Sequence, residues 1–102
     1  KGFTTHNLGP NYTSVANRKY QKQIIELSLQ ALEMRPITER DHSSMTMASS
    51  KQKMFQAKKM IDKFRYKLCE YLEDTTQKDV VYQLSVALFP LTHDTKESGS
   101  HE

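Results

Sequence analysis

The chain has 102 residues, a formal net charge of +3, a pI near 9.0 and 36% hydrophobic residues. This allows one domain with a modest core, and it excludes a membrane span, because no stretch approaches the roughly 18 apolar residues a spanning helix needs. The lone cysteine, Cys69, excludes an internal disulfide framework, and no signal-peptide pattern opens the chain, so a cytoplasmic protein with no membrane partner is expected.

Residues 1–12 read as a lead-in. Phe3, Thr4 and Thr5 suit the end of a strand, and Gly9, Pro10 and Asn11 form a turn signal. The chain opens on Lys1 rather than Met, which points to a segment before it. A first helix is predicted over residues 14–34, with Thr13 or Ser14 able to cap it through a hydroxyl. Ala16, Tyr20, Ile24, Leu27, Ala31 and Met34 recur at three- and four-residue steps and share one face. Pro36 ends the helix. A second, narrower stripe of Ile25, Leu29 and Leu32 suggests a helix covered on two sides.

Residues 37–42 are polar and read as a connector or a single helical turn. Met45 and Met47 alternate with Ser44 and Thr46, which predicts a short strand over 43–48. Ser49 and Gln52 have capping-box spacing ahead of a second helix over 51–73. Its inner stripe is Met54, Ala57, Ile61, Phe64, Leu68 and Tyr71. Phe55 and Tyr66 lie on the opposite side, about three turns apart and therefore aligned.

A polar turn over 74–79 leads into a predicted strand over 80–91. Val80, Tyr82, Leu84, Val86 and Leu88 point one way, and Val81, Gln83, Ser85, Ala87 and Phe89 the other. Pro90 stands near the end, where a missing N–H is tolerable. Residues 93–102 read as a disordered tail. The expected fold is therefore α/β (or α+β): a small two-layer module containing a βαβ unit, with two long helices packed on a small sheet. Its domain spans 13–92. Two strands are too few to cover two amphipathic helices, so further coverage is expected from a neighbouring segment or a second copy.

Two segments carry a family resemblance. One is Glu39-Arg40-Asp41-His42-Ser43-Ser44-Met45-Thr46-Met47-Ala48; the other is Val81-Tyr82-Gln83-Leu84-Ser85-Val86-Ala87-Leu88-Phe89-Pro90-Leu91-Thr92. With Phe64-Arg65 between them, they resemble a bacterial domain of unknown function that forms the C-terminal part of longer proteins, some from predatory bacteria. The resemblance covers roughly Thr4 to Thr92, and the closing segment is its most specific piece. His6-Asn7-Leu8-Gly9 stands where that family usually has an acidic turn. The N-terminal part of such proteins resembles a helix-turn-helix or winged-helix region. The resemblance thus implies a regulator whose DNA-reading part lies upstream, and it implies no activity.

The residues themselves offer little chemistry. Asp41, His42 and Ser43 are adjacent, but a catalytic triad is assembled in space, so solvated connector residues are the better reading. His6, His42, His93 and His101 are scattered without metal-ligand spacing, and no cofactor motif is present. Cys69 has no activating neighbour and reads as a structural thiol. Seven of the fifteen basic residues fall in the second helix: Lys51, Lys53, Lys58, Lys59, Lys63, Arg65 and Lys67. A basic helix can neutralise phosphates, but these flank the apolar stripe and share the helix with Asp62, Glu70 and Glu73, so a solvated face is favoured. Arg40 and Asp41 suit an ion pair that orders the connector, or a pocket shared with Tyr82 and Gln83.

The expected function is a non-catalytic dimerisation or sensing domain of a bacterial transcriptional regulator. Its interface would be Ile25, Leu29, Leu32, Phe55 and Tyr66, its partner a second copy or a neighbouring N-terminal domain, and DNA would be read through that N-terminal region. The alternatives are a nucleic-acid-binding module using the basic helix over 51–67, and a small-molecule effector site or enzyme at Arg40, Asp41, Tyr82 and Gln83.

Overall fold

A computed structural model of the chain describes residues 14–93. The lead-in strand at Phe3 to Thr5, the turn at Gly9 to Asn11, the Thr13 cap and the tail beyond His93 lie outside these residues. The described elements are helix α1 (Ser14–Met34), a 3-10 turn at Ile37–Glu39, a second 3-10 turn at Lys51–Lys53 and helix α2 (Met54–Glu73). The chain divides into two units, Lys1–Met47 and Ala48–Glu102.

In the first unit, α1 holds its expected limits. It contains no Gly or Pro across 21 residues, so nothing interrupts its hydrogen-bond ladder. The ladder continues one step past the helix, where the Arg35 N–H donates to the Ala31 carbonyl at 2.9 Å. Pro36 follows in an extended conformation, at φ −65° and ψ 155°, and ends the winding. The chain then makes its 3-10 turn, with the Glu39 N–H donating to the Pro36 carbonyl at 2.9 Å.

The second unit opens differently from its predicted capping box. Ser50, not Ser49, caps the 3-10 turn, and its side chain makes no cap hydrogen bond. The turn hands over to α2 through Lys53, which also makes no side-chain cap bond. The backbone supplies the closure instead, with the Lys53 N–H on the Ser50 carbonyl at 3.2 Å. The 3-10 start brings the first backbone bond forward to the Lys53 N–H, one residue earlier than α-helical pairing would, and no side-chain capping box forms.

The expected α/β fold is overturned. Among the described residues there is no strand, and the regular elements are all helical. Residues 43–48 and 80–91, both predicted as strands, carry no assigned secondary structure. The cause is physical. A helix closes its hydrogen bonds within one segment, whereas a strand exists only when a second segment accepts from its N–H groups and donates to its C=O groups. Alternating apolar residues show that a segment suits a pleated surface; they do not supply the neighbour. The βαβ unit and the two-layer sheet therefore fall together.

Both helices are finished by the same device. The last carbonyls of a helix have no partner inside it and carry the negative end of its dipole. Neither helix has a basic residue in its last turn. Instead, a cation five residues downstream turns back: Arg40 Nε donates to the Arg35 carbonyl at 3.0 Å, and Lys78 Nζ donates to the Glu73 carbonyl at 2.6 Å. The second of these ends is drawn in further by the Asp74 N–H on the Tyr71 carbonyl at 3.3 Å and the Thr75 N–H on the Glu73 carbonyl at 2.9 Å.

These contacts predict local consequences. Arg40→Ala should accelerate amide hydrogen exchange in the last turn of α1 about 2- to 5-fold, as expected for roughly 0.5–1 kcal/mol at a helix end. Arg40→Lys, which keeps the charge, should recover part of that protection. Unchanged exchange at residues 32–35 in Arg40→Ala would show that the cation does not hold this end.

Candidate functional site

The most ordered polar cluster of the first unit joins the connector to the middle of α1. His42 Nε2 lies 2.9 Å from Ser28 Oγ and 3.1 Å from the Ser28 carbonyl oxygen. Ser28 sits seven residues before Arg35, about two turns up the helix. After Pro36, therefore, the chain folds back along α1, held at one end by Arg40 on the Arg35 carbonyl and at the other by His42 on Ser28. Between them, Arg35 Nη1 pairs with Glu39 Oε1 at 3.3 Å. Both side chains of that pair are exposed, so it contributes little beyond fixing the turn.

The geometry assigns the histidine its tautomer. A backbone carbonyl only accepts, so the Nε2 that meets it must carry a proton. The same N–H is shared with the serine hydroxyl oxygen. A histidine activating a serine nucleophile would need the reverse, an unprotonated nitrogen accepting from the hydroxyl. Ser28 and His42 thus form a structural latch. Ser43, the serine adjacent in sequence, is exposed, as is Asp41. Ser28 was missed by sequence reasoning, although one signal was available. It is the single polar residue on the line Tyr20, Ile24, Ser28, Ala31, and a hydroxyl placed there calls for a partner.

That line is also the covered face of α1. Ile24, 7% exposed, is the one buried residue among those described, and Tyr20, Ser28 and Ala31 are half-buried. The inner stripe read from sequence is correct at its centre but is turned toward Ser28, because Leu27 and Met34 are exposed. Ile25, Leu29 and Leu32 are exposed as well, and their steps of four and three residues bring them onto one helix face.

In the second unit, the covered side of α2 runs through Met54, Ala57, Ile61, Arg65 and Leu68, all half-buried, with Cys69 half-buried beside them. Phe64 and Tyr71, expected on the inner stripe, are exposed. Phe55 is 71% exposed, and Lys59 Nζ stands 4.5 Å from its ring centroid, a cation–π contact one turn along the helix. Tyr66 is exposed too. Arg65 pairs with Asp62 on the same helix. Lys59 and Arg65 are therefore turned to partners within α2. Beyond the helix, the Gln77 N–H donates to Thr75 Oγ1 at 3.2 Å.

The residues expected to line an effector pocket are each placed plainly. Arg40 is half-buried and its Nε is taken up by the α1 carbonyl end. Tyr82 and Gln83 are exposed in the second unit. Of the histidines, His42 is the latch and His93 is exposed, while His6 and His101 lie outside the described residues. Among the described residues, no group of three or more His, Cys, Asp or Glu side chains is placed to hold a metal ion, and no helix is long and apolar enough to cross a membrane.

A family described as a domain of unknown function, DUF4423, matches residues 4–91. No curated protein and no solved structure matches the chain.

The latch makes two predictions that NMR can check. In its neutral form, His42 should show a protonated Nε2 and an unprotonated Nδ1 in long-range proton–nitrogen spectra. The His42→Ala change should remove about 0.5–1.5 kcal/mol of local protection at residues 37–42, the usual contribution of such a hydrogen bond. A protonated Nδ1 with bare Nε2 would rule out the donor role.

Proposed function

This chain belongs to the DUF4423 family, and from its exposed apolar faces we propose that it is a non-catalytic dimerisation domain of a bacterial transcriptional regulator. The observation that carries this reading is the set of apolar side chains left in solvent at regular spacing: Ile25, Leu29 and Leu32 on α1, and Phe55 with Tyr66 on α2. Single exposed leucines are ordinary, but apolar groups aligned along one helix face mark a surface that meets a partner. The resemblance of the two signature segments to the C-terminal part of longer bacterial proteins with a helix-turn-helix-like N-terminal region supports the regulator context. A regulator of that kind reads two half-sites at fixed separation, which calls for a domain that pairs its copies.

Local chemistry argues in the same direction. The serine and histidine that meet are latched in a non-catalytic sense, and Arg40, one of the four residues expected at an effector site, is engaged at a helix end. On α2, Lys59 and Arg65 are held by Phe55 and Asp62, which lowers the charge free to meet phosphates.

Sedimentation of the purified chain across a concentration series tests the reading. A reversible dimer is expected. Ile25→Glu or Phe55→Glu, each placing a charge at an apolar contact, should weaken association by roughly tenfold or more. A strict monomer at all concentrations, unaffected by either change, would overturn it.

A further inference from the structure

Met60, Phe64 and Tyr71 of α2 are 62%, 53% and 76% exposed. Met60, Phe64, Lys67 and Tyr71 follow one another at steps of four, three and four residues, the repeat at which one helix seats against another. Lys53, seven residues before Met60, heads the same line, and Lys63 lies on its edge beside Phe64. This line is separate from Phe55 and Tyr66, which stand roughly 150° around the helix from it.

The line carries charge of one sign along its length. Lys53, Lys63 and Lys67 are all exposed. Among the described residues, no ion pair or side-chain hydrogen bond engages any of the three, whereas Arg65 on the covered side of α2 is paired with Asp62. The first turn of α2 holds no acidic residue and no side-chain bond caps it, so the positive end of the helix dipole adds to the field of Lys53. Glu70, two turns beyond Lys63, is the acidic residue on that edge.

We propose that this face of α2 docks an acidic amphipathic helix of another protein. The apolar side chains take up the partner's apolar stripe. The lysines, whose stems lie along the seam while their ammonium groups reach its rims, meet the carboxylates that flank that stripe. A second copy fits badly, because it would bring three lysines against three with Glu70 the acidic residue on each edge. Nucleic acid also fits less well. Its charge is continuous, and a backbone following Lys63 along the edge would run onto Glu70. A helix places its carboxylates singly and can set a basic residue opposite Glu70. The surface therefore lies beyond the dimer contact proposed above and does not depend on it.

Fluorescence anisotropy with the full chain tests the proposal. The probes are a labelled helix-forming peptide of the length of α2, with Leu at three- and four-residue steps flanked by Glu; the same peptide with Lys in place of Glu; and a labelled single-stranded oligothymidine. The acidic peptide should bind, more weakly as salt rises. Lys63→Glu combined with Lys67→Glu should weaken it about tenfold or more, as should Phe64→Ser. Lys58→Glu, the same charge change away from this face, should leave affinity within about twofold. If Phe64→Ser loses helical circular dichroism, Tyr71→Ser takes its place. No binding of the acidic peptide, or equal binding of its lysine counterpart, overturns the proposal. Tighter binding of the oligothymidine overturns it in favour of nucleic acid. Sedimentation separates it from the dimer reading: a self-association lost in Lys63→Glu with Lys67→Glu would assign the face to the second copy and overturn the proposal alone.

Discussion

Among the described residues, the shortage of cover within each unit is the constraint on which the rest of the structure depends. One side chain, Ile24, is buried among the described residues. Full burial of an isoleucine contributes about 1.5–3 kcal/mol, while fixing the backbone of a single residue costs roughly 1–2 kcal/mol. Helices of this length standing alone in water are marginal even with good sequences. Their stability has to come mainly from packing their apolar faces, and the chain presents those faces in quantity: three residues on one side of α1, aromatic residues along α2 and a run of apolar side chains over 80–91.

What the chain does settle internally, it settles over short sequence distances. Arg40 closes α1 and Lys78 closes α2, each from five residues beyond the carbonyl it meets. His42 reaches Ser28 across 14 residues and folds the connector back onto its own helix. These bonds combine a charge at the negative end of a helix dipole, or a donor for an exposed carbonyl, with a small loop to close, so the entropy they must overcome is modest. They fix helix ends and connector paths. None of them covers an apolar face.

That division explains what was legible in the sequence. The limits of α1 and the end of α2 could be read directly, since a helix depends on residues within a turn or two of each other: Pro36 stops one, and an uninterrupted run sustains the other. The centre of each covered face was legible for the same reason. The strands were not, because Tyr82, Leu84, Val86 and Leu88 announce a pleated pattern without announcing who pairs with it. Ser28 and Lys78 escaped because a polar residue on an apolar line, or a lysine past a helix end, acquires meaning only when the chain's return path is known. Arg40 was singled out, for an ion pair with Asp41 that orders the connector or for a pocket, and the carbonyl it meets was not foreseen.

The same division bears on function. A catalytic or ligand site needs polar groups held in register by packed surroundings, and the polar groups here that meet one another are spent on ending helices and turning the chain. The apolar groups are the ones left without a use inside either unit. An interaction domain needs the reverse allocation of a small enzyme: local bonds sufficient to keep each helix presentable, and apolar surface held back for the partner. Segment 80–91 carries this furthest. It contains no charged side chain and, among the described residues, no backbone hydrogen bond, while eight of its apolar side chains are exposed.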